Sequence, residues 1–468
     1  MEYLRKMKQK LPIVLKKNNT LITALKTLNG LFGRVVCVVD NDEKFIGLVT
    51  EGDIRRSLIS GFSLDERLEV IANINPLTLN MDEYSKIQNN EISEKLLKKI
   101  SQILKQNFEI PVIQKDNKIF KSLDASFFKN ITSKITENNS HIKVLIIGGM
   151  GYIGSRLTNL LLNKNFSVKV VDNLLYNQKF LSTFEEDLNF EFIQGDICDL
   201  NTQLEAVKDV DAVVYLSEIV GDPACKSFPE KSLKTNYLAL CALSTLCAHL
   251  KISRFIYTSS CSVYGSTTDP SLVLTESSQV NPLSHYARMK LESENFLLNI
   301  KNNFFNPTIL RLGTVFGYSY RQRFDLVVNK FVKDSYLFNR INIQGGKQYR
   351  PNIHVDDISE AIVKILNSPL DKINNSIFNL SNGSENKNII ELAEVISSVT
   401  NNTKIIIDNK ISDNRNYRVS SKKIQDSLGI AARTSIKDGV IDLYKKLKNN
   451  DFLDIDSPKY SNIEFLLN

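Results

Sequence analysis

A glycine-rich turn between an apolar strand and a helix is the feature that most constrains this chain. The apolar run Val144–Ile147 predicts a buried strand, and Gly148-Gly-Met-Gly-Tyr-Ile-Gly154 follows it directly. The residues Arg156–Leu162 then predict a helix. Glycines let a backbone approach a phosphate closely, and the N–H groups of a helix N-terminus point at it. The sequence therefore predicts an anion site at Gly148, Gly151, Tyr152, Ile153 and Gly154.

Predicted strands and helices alternate from residue 142 to about residue 450. Strands are predicted at 142–147, 167–172, 190–194, 211–216, 254–259, 308–312, 341–344, 376–380 and 404–407. Helices are predicted near 153–163, 203–208, 230–250, 283–300, 324–336, 355–367, 387–398 and 435–447. This alternation is typical of an α/β fold with a doubly wound, Rossmann-like parallel sheet. We expect one unit over 142–450, and the residues after it support no prediction.

An acidic residue at the end of the second predicted strand indicates which cofactor the glycine turn binds. Asp172 closes the strand Ser167–Asp172. A carboxylate at this position accepts hydrogen bonds from both ribose hydroxyls and would repel a 2′-phosphate. The sequence therefore favours NAD over NADP. The alternative is that Asp172 is a turn residue before Asn173.

Three polar side chains further along the chain predict the chemistry. Ser260 ends a strand that carries hydroxyls to the same edge of the sheet, and Tyr286 and Lys290 are four residues apart on one helix face. A nearby ammonium favours a phenolate, so we expect Lys290 to lower the pKa of Tyr286 toward the working pH. Tyr286 would then take a proton from a sugar hydroxyl. Ser260 would hydrogen-bond the same oxygen.

Together with Arg311–Gly317 and Arg350–Asp357, these segments make residues 142–450 resemble an extended short-chain dehydrogenase/reductase of the NAD-dependent sugar-nucleotide epimerase/dehydratase family. The resemblance implies a Rossmann-like core, a small C-terminal substrate lobe, bound NAD and a nucleoside-diphosphate sugar as substrate. The cofactor contacts that it adds are Asp196, Ile197, Leu216, Ser217, Tyr286 and Lys290. The substrate contacts that it implies are Ser260, Thr314, Asn329 and Arg350. The helices near 230–250 and 283–300 resemble the dimer-forming pair of the family, so we expect a homodimer or a higher homo-oligomer.

The two residues after Ser260 bear on the reaction. The 4,6-dehydratases of the family carry an Asp-Glu pair after a catalytic Thr, and the two carboxyls eliminate water. Here the positions are Cys261 and Ser262, neither of which replaces a carboxyl. We therefore expect epimerisation through oxidation by NAD at a sugar carbon, C4, and return of the hydride. The alternatives are a reductase, dehydrogenase or dehydratase acting on a sugar nucleotide, and a non-catalytic nucleotide-sensing protein.

Two acidic residues depart from the pattern of the family. Glu218 stands where many members have a small residue, and near a pyrophosphate it would be unfavourable unless it points away or is paired. Asp222 either lines the sugar pocket or caps the turn before Pro223.

Residues 13–130 predict a separate α/β module with two similar halves, and the polar residues 131–141 predict a linker. The first half has a helix at 21–28, strands at 34–39 and 45–49, and a helix beginning at Thr50. The second has a helix near 93–106 and strands at 110–113 and 118–123.

The module resembles a tandem pair of CBS domains, a family that commonly binds adenosine nucleotides. Thr50 and Asp53 match the ribose-binding Thr-x-x-Asp of that family, whereas Lys121–Asp124 in the second half does not. The alternative is that Thr50 caps its helix and Asp53 favours the positive end of the helix.

Composition excludes several other classes of protein. The net charge is +7, but lysines are interleaved with acidic residues, which indicates a solvated surface rather than nucleic-acid binding. No apolar run has the length of a membrane span, and the first ten residues lack the apolar core of a signal peptide. The six cysteines and four histidines show no metal-binding or disulfide spacing. We therefore expect no metal and a cytoplasmic location.

Overall fold

The chain forms two units, the front unit Met1–Ser140 and the second unit His141–Asn468. The computed structural model describes residues 12–29, 34–89, 96, 99, 109–123, 127, 142–178, 180–267, 269, 271–300, 302, 304–408 and 415–467. Apart from residues 96 and 99, the predicted helix near 93–106 lies outside these residues, as does the predicted linker 131–141. Among the described helices, none combines the length and the apolar character that crossing a membrane requires.

The front unit repeats one arrangement of three strands. Its elements are β1 (Ile13–Lys16), α1 (Leu21–Leu28), β2 (Val36–Val39), β3 (Phe45–Val49), α2 (Glu51–Ile59), α3 (Leu68–Ile71), β4 (Leu79–Asn80), α4 (Met81–Gln88), β5 (Ile110–Ile113) and β6 (Ile119–Leu123). In each half a parallel pair is followed by an antiparallel pair, β1-β2-β3 and β4-β5-β6. Helix α4 is an element that the sequence prediction missed.

The second unit begins with the strands and helices of a large sheet. They are β7 (Lys143–Ile147), α5 (Tyr152–Asn163), β8 (Ser167–Asp172), α6 (Ser182–Glu185), β9 (Phe190–Gln194), α7 (Leu200–Ala206), β10 (Ala212–Tyr215), α8 (Asp222–Ser227), α9 (Pro229–Ser232), α10 (Ala239–His249), β11 (Arg254–Ser260), β12 (Val273–Leu274), α11 (His285–Leu298) and β13 (Asn306–Leu312). A π-helical segment, Leu233–Leu238, joins α9 to α10, so the helix predicted near 230–250 is not one regular helix.

The rest of the second unit adds one strand to that sheet and builds a C-terminal lobe. The elements are β14 (Thr314–Phe316), α12 (Val327–Phe338), β15 (Arg340–Gln344), β16 (Tyr349–Arg350), β17 (Asn352–His354), α13 (Val355–Leu366), α14 (Leu370–Ile373), β18 (Ser376–Leu380), β19 (Lys387–Asn388), α15 (Ile389–Val399), β20 (Lys404–Asp408), β21 (Arg418–Val419), α16 (Lys422–Leu428), α17 (Ile436–Lys448) and α18 (Asn462–Leu467). Short 3₁₀ turns lie at Cys261–Tyr264, Gly383–Glu385 and Pro458–Tyr460.

Seven parallel strands form the central sheet, in the order β18-β13-β11-β10-β7-β8-β9. The chain order reverses between β7 and β10, which is where ligands bind in open sheets of this kind. The expected doubly wound sheet is therefore confirmed. The predicted strands 341–344 and 404–407 are present as β15 and β20, but they pair with each other outside the central sheet.

Side chains on both faces of the sheet explain the apolar run that precedes the glycine turn. Val144 and Ile146 pack in the core on one face, and Leu145 and Ile147 pack in the core on the other. All four are fully buried, as is typical of a parallel strand covered by helices on both sides. Helices α12, α15 and α17 surround a third core, which belongs to the C-terminal lobe.

A buried ion pair fixes α11 against β13. The guanidinium of Arg311 donates to Glu294 Oε2 at 2.6 Å, and its Nε donates to Oε1 at 3.0 Å. Ser259 Oγ donates to the same carboxylate at 2.5 Å. Both charged side chains are at most 4% exposed. Because α11 also carries Tyr286 and Lys290, this pair places two predicted catalytic side chains relative to the sheet.

We expect Glu294→Ala to lower the free energy of unfolding of the second unit by about 3–5 kcal/mol, because it leaves the Arg311 guanidinium buried without its carboxylate. Urea unfolding followed by circular dichroism measures the change. The matched control is Glu292→Ala on the exposed face of the same helix, which we expect to leave the unfolding midpoint unchanged. Equal midpoints for the two variants would contradict a structural role for the pair.

Candidate functional site

The glycine turn between β7 and α5 leaves no room for side chains. Gly148 has φ +81°, and a Cβ on it would lie 2.9 Å from the backbone of Ser217, just after β10. A Cβ on Gly154 would lie 2.2 Å from the carbonyl oxygen of Gly148. Only glycine therefore fits where the first turn of α5 crosses the turn. Gly151 is the N-cap of α5 and brings no side-chain acceptor, which suits an anion at the helix N-terminus.

One pocket gathers most of the predicted site residues. Its wall follows the carboxyl ends of parallel strands and one face of α11. The predicted residues that line it are Gly148, Gly151, Tyr152, Ile153, Gly154, Leu216, Ser260, Tyr286, Lys290, Thr314 and Arg350. Residues that were assigned to the cofactor, to catalysis and to the substrate from separate segments thus share one cavity.

Other predicted residues lie outside the lining of this pocket, namely Asp172, Asp196, Ile197, Ser217 and Asn329. The carboxylate of Asp172 accepts hydrogen bonds from the backbone N–H groups of Met150 at 3.0 Å and Leu174 at 2.9 Å. Burial raises the pKa of Asp172. Asp196 is exposed, whereas Ile197 packs in the core. The ribose and adenine contacts of these residues stay predictions.

Asn329 has a different place from the one that was predicted. It is fully buried, and its Oδ1 accepts a hydrogen bond from the backbone of Gly317 at 3.0 Å. Its Nδ2 donates to the Tyr152 hydroxyl and to the Arg323 carbonyl, both at 2.9 Å. The amide therefore holds the loop after β14 against the N-terminus of α5, and its substrate contact stays a prediction.

Lys290 is held by a buried ion pair. Its Nζ lies 2.5 Å from Oε2 of Glu218, and the two side chains are 5% and 3% exposed. Nζ also donates to the carbonyl of Thr258. The other carboxylate oxygen, Oε1, accepts a hydrogen bond from the Tyr257 hydroxyl at 2.9 Å. Glu218, which was unfavourable on sequence grounds unless paired, is thus paired with a predicted catalytic residue.

The expected lowering of the Tyr286 pKa by Lys290 is wrong for this arrangement. The Lys290 ammonium lies 5.6 Å from the centroid of the Tyr286 ring, but Glu218 compensates its charge. Burial raises the pKa of Tyr286 well above its ordinary value, and the carboxylate of Glu218 raises it further. The i, i+4 spacing gave the correct neighbour, whereas the opposing charge comes from a distant segment.

Ser260 keeps its hydroxyl proton available for a ligand. Its Oγ accepts hydrogen bonds from the backbone N–H of Ser262 at 3.1 Å and from the Ser262 hydroxyl at 2.9 Å. Cys261, between them, is buried and donates to the Arg311 carbonyl at 3.2 Å. The thiol faces the core, so positions 261 and 262 offer the pocket one hydroxyl and no carboxyl.

Arg321 is a pocket residue that the sequence analysis missed. Its side chain is 6% exposed, and its Nε and Nη2 have no hydrogen-bond partner among the described residues. The guanidinium lies 3.9 Å from the centroid of the Tyr176 ring. Burial and the charge of Arg323 lower the pKa of Arg321 to about 10. Buried donors of this kind suit an anionic ligand; the sequence signal was the pair of arginines in Tyr320-Arg-Gln-Arg323.

Further arginines of the pocket are bonded within the protein. Arg323 pairs with Asp325 at 2.8 Å, and Arg415 pairs with Asp222 at 2.7 Å. Asp222 lines the pocket, which was one of the two places considered for it. Arg350 donates to the carbonyl of its neighbour Tyr349 at 2.8 Å. The wall is therefore rich in guanidinium groups, as a diphosphate site requires.

The C-terminal residues, which supported no prediction, close one side of the pocket. Asn462 lines it and donates from its backbone to Asp325 at 3.1 Å and from its side chain to the Val220 carbonyl at 3.4 Å. Phe465 packs on Tyr176 with ring centroids 5.4 Å apart. These contacts join residues that are far apart in the chain, so no local sequence pattern predicts them.

In the front unit, Thr50 and Asp53 bond to each other. The Thr50 hydroxyl donates to Asp53 Oδ2 at 2.7 Å, and the backbone N–H of each residue bonds the side chain of the other. Arg56 donates to Asp53 Oδ1 at 2.6 Å. This is a capping box at the start of α2, the alternative that was considered for these residues. A ribose contact by them stays a prediction.

Two family models match the chain. The model described as the NAD dependent epimerase/dehydratase family matches residues 144–381, and that of the CBS domain matches residues 7–60. The first span contains the glycine turn, the seven-stranded sheet and the three predicted catalytic residues.

Relatives and solved structures with different reactions are similar to the second unit. The dTDP-D-glucose 4,6-dehydratase of Dictyostelium discoideum is 30% identical over 48% of this chain and 55% of that protein. UDP-glucuronic acid decarboxylase 1 of Arabidopsis thaliana is 26% identical over 66% of this chain and 72% of its own length. The structure of UDP-glucuronic acid 4-epimerase from Bacillus cereus with UDP-glucuronic acid and NAD is 25% identical, with a TM-score of 0.59, over 66% of this chain and 99% of that one.

We expect Arg321→Met to weaken the binding of an anionic ligand about tenfold or more, because a charge-assisted hydrogen bond is lost. Calorimetric titrations of the full chain with NAD and with UDP-glucuronic acid, done separately, measure the effect. Stability is expected to stay the same or rise, because the guanidinium that is removed has no carboxylate partner in the part of the chain that the structure describes. In the control Arg323→Met, stability falls, because Asp325 is left unpaired. Unchanged affinity for both ligands would contradict the anion-binding role of Arg321.

Proposed function

We propose that this chain, which belongs to the NAD dependent epimerase/dehydratase family, epimerises a nucleoside-diphosphate sugar. One observation carries the proposal. Ser260, Tyr286 and Lys290 line the pocket that the glycine turn opens into, while the two positions after Ser260 hold no carboxyl. The chain thus has the groups for oxidation and reduction at a sugar carbon without the acid pair of a dehydratase.

The cofactor of the family is NAD, and the residues of this chain fit it. Gly148 and Gly154 line the pocket and have no side chain, so a phosphate could approach the backbone of the turn closely. The first residues of α5 line the same pocket, where a pyrophosphate would meet the helix N-terminus. When bound there, NAD would supply the acceptance of a hydride from a sugar carbon and its return.

The side chains of the pocket supply the proton transfers of such a cycle. In its phenolate form, Tyr286 takes the proton of the sugar hydroxyl, which we place at C4, as the hydride leaves the carbon. Ser260 donates to the same oxygen and stabilises the carbonyl that forms. After the keto sugar has turned in the pocket, Tyr286 gives the proton back. Lys290 places a positive charge near Tyr286, and the carboxylate of Glu218 compensates that charge.

Two carboxyls of the pocket are candidates for the elimination of water, and both are engaged in ion pairs. Glu218 binds Lys290, and Asp222 binds Arg415. Neither therefore resembles a carboxyl acid-base pair placed directly after the catalytic hydroxyl. This arrangement favours epimerisation over dehydration, and the guanidinium groups of Arg321 and Arg350 favour a diphosphate-containing substrate.

The positions of deuterium in the product distinguish epimerisation from the alternative reactions. We expect a panel of UDP-, GDP-, CDP- and dTDP-sugars, deuterated at C4, to include a substrate whose C4 epimer keeps the deuterium. In deuterated water, no solvent deuterium is expected at C5, and no NADH accumulates. Nuclear magnetic resonance of the products measures both positions. Tyr286→Phe is expected to lower kcat by about 10²–10⁴.

Solvent deuterium at C5 would overturn the proposal, because dehydration and decarboxylation both protonate that carbon. Net consumption of NADH would indicate a reductase instead. A Tyr286→Phe protein with full activity would remove the catalytic assignment while leaving the family unchanged.

We also propose that the front unit, with residues 13–130 as its functional part, binds an adenine nucleotide and regulates the enzyme. The match to the CBS domain supports this proposal. Thr50 and Asp53 lie at the N-terminus of α2, where a ribose diol would replace their mutual hydrogen bond.

A matched pair of cap variants tests this regulatory proposal. We expect Thr50→Ala in the full chain to weaken the calorimetric affinity for ATP, ADP or AMP at least tenfold, because the ribose loses an acceptor. Asn80 forms the corresponding capping box on α4, so Asn80→Ala removes an equal cap and is expected to keep the affinity. Absence of binding by the unaltered chain, or an equal loss in both variants, would contradict the proposal.

A further inference from the structure

We propose that Glu218 is a positioning residue of the active site: it fixes Lys290 and determines the pH at which Tyr286 exchanges its proton. The inference rests on the proposed function, because it concerns the same tyrosine. Glu218 itself contacts neither Ser260 nor the sugar oxygen in this scheme and acts through its two neighbours.

The carboxylate is bonded on both sides. Oε2 lies 2.5 Å from Lys290 Nζ, and Oε1 accepts a hydrogen bond from the Tyr257 hydroxyl at 2.9 Å. Lys290 in turn donates to the Thr258 carbonyl and lies 4.7 Å from the centroid of the Tyr257 ring. The ammonium is therefore held from both sides by groups of the sheet, with Glu218 as its counter-charge.

The backbone around Glu218 is held firmly as well. The side chain of Asn236, in the π-helical segment, accepts from the N–H of Ile219 at 2.8 Å and donates to the carbonyl of Ile219 at 2.9 Å. Asn236 is buried. A residue that is fixed on its backbone and at both carboxylate oxygens has little freedom to move away, so the charge stays beside the active site.

The charge of Glu218 acts on Tyr286 together with that of its other neighbours. Ionisable groups near Tyr286 on other elements include Glu218, Cys225, Asp222, Arg323 and Tyr257. Of these, Glu218 has the largest effect after burial itself, and it raises the pKa of Tyr286. Asp222 has its own cation in Arg415. Glu218 is therefore the group whose removal changes the balance most.

The sign of the effect follows from charge alone. An anion near a phenol disfavours the phenolate, so removal of Glu218 lowers the pKa of Tyr286. The same removal leaves the Lys290 ammonium without its counter-charge, and an uncompensated cation beside the ring favours the phenolate further. The two effects act in one direction and move the phenolate form of Tyr286 to lower pH.

A spectrophotometric titration of Tyr286 tests the inference directly. The difference in phenolate absorbance between the full chain and its Tyr286→Phe variant isolates this tyrosine from the other tyrosines. In the Glu218→Gln background, we expect the midpoint of that difference to fall by roughly one to three pH units. In the conservative Glu218→Asp background, which keeps the charge, we expect it to stay near that of the unaltered chain. An unchanged midpoint in folded Glu218→Gln would overturn the proposal.

If Glu218→Gln does not fold, a second pair of variants tests the same inference. Lys290→Met/Glu218→Met removes both charges together, which a buried site tolerates better than one unpaired charge. Its Tyr286 midpoint is expected below that of Lys290→Met alone, because only the latter keeps the anion. Equal midpoints in these two variants would overturn the proposal as well.

The titration needs neither NAD nor a sugar, so it separates this inference from the proposed function. If the chain epimerises a sugar, the acidic limb of the pH profile of kcat is expected to move in Glu218→Gln by the same shift as the midpoint. A shifted midpoint in a chain that epimerises no sugar of the panel would overturn the proposed function alone. A kcat profile that stays in place while the midpoint moves would show that Tyr286 is not the base, and would overturn the role of Glu218 in catalysis.

Discussion

The close crossing of the glycine turn and the first turn of α5 is the constraint on which the second unit depends. Because Gly154 meets the Gly148 carbonyl without a side chain between them, α5 starts directly above the end of β7. The same helix then reaches the C-terminal lobe. Tyr152 donates to the Gly317 carbonyl at 2.7 Å, and Arg156 binds Asp356 at 2.8 Å. One backbone contact thus sets the position of the helix that connects the glycine turn to the loop after β14.

Local patterns predicted the elements of the sheet because its inner strands β7, β10 and β13 are buried on both faces and contain apolar runs. The strands 167–172, 190–194 and 376–380 have the predicted bounds. Ser260, Tyr286 and Lys290 were found because their chemistry depends on spacing within one helix and on the end of one strand. All three line one pocket, and their roles in catalysis stay predictions.

What the sequence did not reveal depends on contacts between distant segments. The place of Asn329 is decided by its bonds to Gly317 and Tyr152, and neither residue is near it in the chain. Burial and then the charge of Glu218, in the loop after β10, raise the pKa of Tyr286 instead of lowering it. Glu218 was recognised as unfavourable from sequence, but its partner was not. An acidic residue that departs from a family pattern is therefore best interpreted together with its ion-pair partner in the folded chain.

The C-terminal segment can dock only late, because it is synthesised after the residues that it contacts. Asn462 contacts Asp325 and Val220, residues that leave the ribosome more than a hundred positions earlier. The sheet and its glycine turn are complete in sequence long before that segment emerges, so the nascent chain can form its cofactor cleft first. One wall of the pocket is added only when the C-terminal segment has docked. In this chain, the glycine turn can therefore form before the pocket beside it is enclosed.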